Sequence, residues 1–536
     1  MRDRAVKELM KVLCLLCLLC LFVASTTLGQ KSGPLSPAAQ AAIESALASL
    51  QTNQVADAEN AARKAVAQAP RSAVAHNVLG VVLDRAQKKE QAFAEFVTAI
   101  KLDVQFVSAH NNLGRWYAEQ GKTPEAIAEF ERVLKIDPAH VQAHYNLGML
   151  YAADNPVKAA EHFAQARAAE PNDPQLALVF LNVAYRANRI EEANAAADFV
   201  ERAVAGDSHA LFTLATALAQ NRQYERAARL FGRVNEMIPH TYEVLYNLGI
   251  ALYNLDRNDE AARYLAEAAD IRPEPAETHF RLALIASSNN DELNAVTEFK
   301  HAIERDNRNA NYHYMLGREY FRSGYWEGAI KEYGEAMALD PKQAAYVLGR
   351  ANASYRKGEW AAAAVDFDLA ASLDATIKDI DYLRGYAHRA AGNFDLARQL
   401  LEKFLATHPD FVDALASLGY VNIEQGRLDE AEVPLKHALT LEPDNVQVLY
   451  DYARLAIKRR DYEEAVVRLR RVIDKNPTHT QAHYQLFLAY SRLKKTDAAE
   501  AELAEFKRLQ EMEKQTTQER IADEKRRTLR LTGEAP

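Results

Sequence analysis

Six histidines, His76, His110, His144, His279, His313 and His483, occupy one position of a pattern that recurs along the chain. Imidazole nitrogens bind divalent metals, so six in register raise the question of a metal array. If each unit contributes packed helices, equivalent positions of adjacent units lie about 10 Å apart, whereas an ion holds its ligands at ~2 Å. Packing between helices is therefore the expected role, and no metal is assigned. His140 and His144 stand one helical turn apart, but Pro138 lies just before them and no carboxylate or cysteine completes a set.

A second recurring position, immediately before the Leu of a Leu-Gly pair or its equivalent, carries Asn112, Asn146, Asn182 and Asn247. Other units place Thr213, Ser417, Asp451 and Gln485 there. An amide donates and accepts, which is what recognition of an extended peptide backbone requires. The four asparagines are the candidate ligand-binding residues; capping or packing inside each unit is the alternative role. Carboxylate pairs such as Glu191-Glu192 and Glu463-Glu464 read as solvated helix faces. The chain has no glycine-rich phosphate loop, no nucleophile elbow and no zinc-protease pair, so neither a catalytic residue nor a cofactor is expected.

These positions need a scaffold, and the stretch VSAHNNLGRWYAEQGKTPEAIAEFERVLKIDPAH, from Val107 to His140, shows it. Leu113, Gly114 and Tyr117 lie on one segment of helical period, and Ala126, Phe130 and Val133 on a second. Gln120-Gly121 breaks the first segment. Thr123-Pro124 offers an N-cap followed by proline at the first helical position, and Asp137-Pro138 closes the unit. Gly114 and Ala126 leave room for close approach, so Tyr117 and Phe130 pack across the pair. Such a hairpin cannot bury its apolar face alone and needs neighbours on both sides.

The order Leu-Gly, Tyr, Ala, Phe and Pro at this spacing resembles the tetratricopeptide-repeat family, with His110 where that family often has Trp. The resemblance implies an all-α solenoid, a right-handed superhelix of antiparallel helix pairs whose first helices line a concave groove. About fourteen repeats, or about 28 helices, are expected, giving a stack longer than ~100 Å. The asparagine ladder resembles that of the superhelical repeats of O-linked N-acetylglucosamine transferase, where it holds peptide main chain. The match covers the scaffold and not that enzyme's catalytic domain.

Along the chain, residues 1–29 read as a signal peptide: a basic start, an apolar run from Val12 to Ala24, and cleavage after Ser25 or Gly29. An uncleaved membrane anchor is the alternative, disfavoured because a span needs about 20 apolar residues. Cys14, Cys17 and Cys20 all lie in that run, so the mature chain has no thiol. Residues 30–38 form a linker and 39–508 the repeats. The fourth repeat is a residue short near Asp154-Asn155-Pro156; the fifth, from Asn182 to Ala203, is degenerate and the expected flexible joint. Residues 509–536 are a charged helix and tail that frays.

The formal charge is −9; the first 29 residues hold four basic and two acidic groups, so their removal leaves −11. An acidic surface disfavours nucleic acid. Basic clusters at Lys458-Arg459-Arg460, Arg468 to Arg471 and Lys525 to Arg530 are expected on exposed helix faces. The Asn352-Ala353-Ser354 sequon falls on a packed helix, where a glycan has no room. The whole reads as an exported, non-catalytic scaffold, in a bacterial periplasm or at a cell surface, with no integral membrane domain once the leader is gone. It binds extended or helical segments of protein partners. The alternatives are a scaffold of polysaccharide export or envelope assembly and a regulatory subunit of a separate enzyme.

Overall fold

The computed structural model describes residues 35–532. The leader expected over residues 1–29, and with it all three cysteines, lies outside the described residues. The fold is all-α. Its 28 helices among the described residues pair into fourteen antiparallel hairpins, which fall into two compact units divided between Ile238 and Pro239. The first unit holds six hairpins, from Pro37–Gln51 to Tyr224–Met237, and the second holds eight, from Tyr242–Tyr253 to Thr496–Thr532. The division falls one hairpin after the irregular fifth. That fifth hairpin, Pro174–Arg186 and Ile190–Ala203, keeps both helices and buries Phe180, Leu181 and Val200.

Within each unit every second helix packs on its own partner and on the first helix of the next hairpin. First helices also touch one another from hairpin to hairpin, as Ala73–Arg85 touches Val107–Glu119, and Val412–Glu424 touches Val446–Lys458. A stack whose first helices sit closer together than its second helices curves toward the first helices. Each unit therefore presents its first helices on an inner side.

Small residues set that spacing. In the third hairpin, Val107–Glu119 and Thr123–Ile136, a Cβ placed on Gly114 would lie 2.8 Å from Phe130 Cε1, and Ala126 and Val133 are wholly buried. The same fit recurs between Gly80 and Phe96, Gly148 and Phe163, and Gly317 and Tyr333. The buried Ala353 and Ser354 confirm that the sequon lies on a packed helix.

The turn inside each hairpin has one residue in the left-handed region, in every hairpin but the fourth: Gln87, Gly121, Arg222, Gly324, Arg460 and Lys494 are examples. That residue reverses the chain, and the spacing of such residues is the repeat period. In the fourth hairpin the first helix, Val141–Tyr151, is short. Asn155 there accepts a hydrogen bond from Lys158 N at 3.1 Å ahead of Pro156, and the missing residue is the turn residue itself. At the third hairpin the cap differs from expectation. Lys122, not Thr123, precedes the helix, and no side chain caps it, because Thr123 is already the first helical residue and Pro124 the second.

The last helix runs from Thr496 to Thr532. Leu509 on it is buried, and farther along Arg527 pairs with Glu292 of the eighth hairpin, in the same unit.

Two alanine substitutions separate the constraints in the third hairpin. Gly121→Ala adds a Cβ with nothing within 4 Å but at φ +72°, and should cost about 1 kcal/mol of local stability. Gly114→Ala should cost more, because the Phe130 ring must move in a packed core. Amide hydrogen exchange over residues 107–136 reads both.

Candidate binding site

The histidines at the shared first-helix position each tie three segments together. His110 is buried; its Nδ1 lies 2.6 Å from Glu129 Oε2 on the second helix, and its Nε2–H donates to the Val104 carbonyl at 3.1 Å. The arrangement repeats with His76, Glu95 and Pro70, with His279, Glu298 and Pro273, with His313, Glu332 and Asn307, and with His483, Glu502 and Pro477. The acid stands nineteen residues after the histidine in each of these five. Buried polar groups need such partners, so the packing role expected of the histidines holds, with a polar partner added. A search for repeating Glu at that offset would have found it. His140, paired with His144 in the sequence, instead caps a helix by accepting from Ala143 N at 3.1 Å.

The fourth hairpin departs. His162 takes the place of the acid, with its Nδ1 3.1 Å from His144 Nδ1, while His144 Nε2–H donates to Pro138 O at 2.9 Å. In the neutral pair His162 Nδ1–H is the donor. Burial, and then the nearby His144, push the basicity of His162 down, against the weaker opposing fields of Glu161 and Glu131. In the ninth hairpin the hydrogen bond to Glu332 pushes His313 up.

The four asparagines are all half-buried on first helices. Asn112 Nδ2–H donates to Asn77 Oδ1 of the preceding hairpin at 2.9 Å, and Asn146 Nδ2–H donates to Asn111 Oδ1 at 3.4 Å. Asn182 donates to Leu178 O within its own helix and accepts from Asn221 Nδ2 at 2.8 Å. Asn247, in the second unit, bonds only back to Glu243 O at 2.7 Å. In the first unit Asn112 and Asn146 thus each tie to the preceding hairpin through an equivalent asparagine, Asn77 and Asn111.

In the second unit the inner side carries aromatic and basic groups that the sequence reading passed over. Tyr420 lies between two guanidinium groups, Arg389 at 5.0 Å and Arg454 at 4.7 Å from its ring centre. Arg454 reaches Asp451, which is fully buried, accepts from Gln447 at 2.9 Å, and has its carboxyl pushed up by that burial. The basic clusters are partnered. Arg459 bridges Asp429 and Glu432, Arg468 pairs with Glu464, and Arg471 pairs with Asp444. Lys436 and Arg459 together hold the Glu432 carboxyl down at about 2.

Family comparison bears on this architecture directly. Matches described as "Tetratricopeptide repeat" cover residues 43–105, 217–286, 276–309, 382–446, 424–472 and 456–508. Matches described as "TPR repeat" add residues 114–155 and 317–358. The chain belongs to the tetratricopeptide-repeat family. Family and fold together support a protein–protein interaction scaffold. No curated protein matches the chain in sequence.

Similar solved structures include PilF of Pseudomonas aeruginosa, 23% identical, covering 39% of this chain and 95% of that one, with a TM-score of 0.33. Naa15/Naa10 bound to HypK-THB is 14% identical and covers 87% and 99%, with a TM-score of 0.32. YrrB, described as a repeat protein with an unusual peptide-binding site, is 21% identical and covers 35% and 97%, at 0.29. These likenesses carry no argument about function. Among the described residues no helix is long and apolar enough to cross a membrane.

The histidine relays give opposite pH responses in two hairpins. His313 has its folded-state value raised above the ordinary 6.5, so its contribution is full below that value and is lost as pH rises through the raised one. His162 is lowered, so its contribution is full above 6.5 and is lost as pH falls toward the lowered value. Amide exchange, corrected for its intrinsic pH dependence, should therefore show the fourth hairpin loosening from pH 7 to 5, and the ninth from pH 6 upward.

Proposed function

We propose that the chain is a non-catalytic scaffold that holds extended segments of partner proteins along the first helices of its hairpins. One observation carries this reading: Asn112 gives one N–H to Asn77, which fixes its amide, and keeps its second N–H and its carbonyl oxygen for a ligand. Asn146 makes the matching bond to Asn111 one hairpin on and keeps its second N–H, while its carbonyl oxygen also accepts from Gln142 at 3.3 Å. Neighbouring hairpins about 10 Å apart match three residues of an extended peptide at ~3.4 Å each. A peptide running along the row therefore offers a backbone group to each amide in turn. Asn182 and Asn247 are included at the same register position.

The apolar leader run supports an exported protein working in a bacterial envelope, with linker, repeats and tail as bounded above. In that setting the partners are proteins of the envelope. The aromatic groups Trp116 and Tyr117, which meet each other edge to face, with Tyr117 also edge to face with Phe93, suit apolar side chains flanking the bound backbone.

The test replaces Asn112, Asn146, Asn182 and Asn247 together by Ala. The wild-type and variant chains, each from Gln30 onward, serve as crosslinked baits in a native envelope extract. The variant should lose the captured proteins while keeping its helicity, with melting lowered only by the loss of three amide contacts between hairpins. Capture of the same proteins by both overturns the amide row. Recovery of polysaccharide in place of protein favours the glycan-export reading, and a catalytic partner held by both baits favours a regulatory subunit.

A further inference from the structure

The eighth hairpin, Ala276–Ser288 and Glu292–Arg305, adds a second imidazole to its histidine relay. Three residues beyond the carboxylate the other relays carry Thr98, Arg132, Glu335 and Glu505; the eighth carries His301. One helical turn sets His301 beside Glu298. Its Nδ1 lies 3.8 Å from Glu298 Oε2, and its ring meets His279 edge to face with centres 5.3 Å apart. That Nδ1 is buried and has no hydrogen-bond partner, an arrangement that is costly unless something fills it.

We propose that His279, Glu298 and His301 form a binding site for a divalent transition-metal ion of the zinc class. Two imidazoles and one carboxylate are a ligand set that zinc takes when one position is left open. The three donor atoms lie within 4.8 Å of one another. Bonds of ~2.0–2.2 Å at tetrahedral angles need separations of about 3.4 Å. His279 Nδ1 and Glu298 Oε2, at 2.7 Å, open slightly, and the half-exposed His301 closes.

The outer contacts suit the ion as well. His279 Nε2–H donates to the Pro273 carbonyl at 3.2 Å, which fixes the tautomer and turns Nδ1 toward the site, as partners of metal-bound histidines do. Arg305 donates to that same carbonyl, and its guanidinium is met by Glu304 at 3.7 Å. The His279 and Glu298 side chains are 9% and 25% exposed and that of His301 is 40% exposed, so the fourth position faces water. The site joins the two helices of one hairpin, so it escapes the spacing argument that separates equivalent histidines of neighbouring hairpins.

The experiment uses the whole untagged chain, stripped by chelator and titrated with zinc chloride by calorimetry. Cobalt chloride serves as the optical probe. The expected result is a single ion per chain and a tetrahedral cobalt absorption band. His301→Ala should weaken zinc by more than about 100-fold, beyond the ~10–100-fold expected for loss of an outer contact, with metal-free melting unchanged. Glu298→Gln, which removes the carboxylate ligand, should weaken zinc to a similar degree. His162→Ala, in the fourth hairpin, should leave binding intact. No zinc bound by the wild type, or undiminished binding by His301→Ala, overturns the proposal.

Discussion

A two-helix hairpin has more apolar surface than it covers by itself, and covering that surface with the next hairpin is the constraint on which the rest of this structure depends. Phe130, Phe163, Phe231 and Phe299 are all but fully buried on second helices, the first two in the gaps left by Gly114 and Gly148. The period must then stay fixed, since one inserted residue turns a helical face by about 100°. The chain respects this even where it loses a residue. The fourth hairpin gives up its left-handed turn residue and keeps both helical faces in register.

The polar chemistry follows from the same stacking. A histidine placed at a packed first-helix position must find partners for both ring nitrogens. The second helix supplies a carboxylate and the preceding loop a carbonyl. Replacing the acid by His162 turns a contact favoured by protonation into one opposed by it. Adding His301 beside the acid leaves a buried nitrogen waiting for a ligand. Small changes at one register position thus give hairpins of the same shape different chemistry.

Much of the fold was legible in the sequence because it rests on local signals: the helical period, Gly114 opposite Phe130, Gly121 at the turn and Pro138 at the close. Cap detail was not, because Thr123-Pro124 looks like a cap and first helical residue from sequence, whereas the chain enters the helix one residue earlier. The site was half legible. Asn112 and Asn146 stood out by position, but their ties to Asn77 and Asn111 run between hairpins, at offsets of thirty-five residues, where no local rule looks. Likewise the spacing argument on the histidines compared equivalent first-helix positions and left out the facing helix, where Glu298 and His301 lie.

The central claim is that partners meet the first helices. Second helices offer a rival surface, with Val365 and Val433 exposed at the same register position. The most direct measurement places a photo-crosslinking amino acid, one site at a time, at Asn111 and Arg318 of first helices and at Val365 and Val433 of second helices, in cells expressing the whole chain. The account predicts partner adducts from Asn111 and Arg318 and none from the two valines. Adducts from Val365 or Val433 with none from the first helices would contradict it.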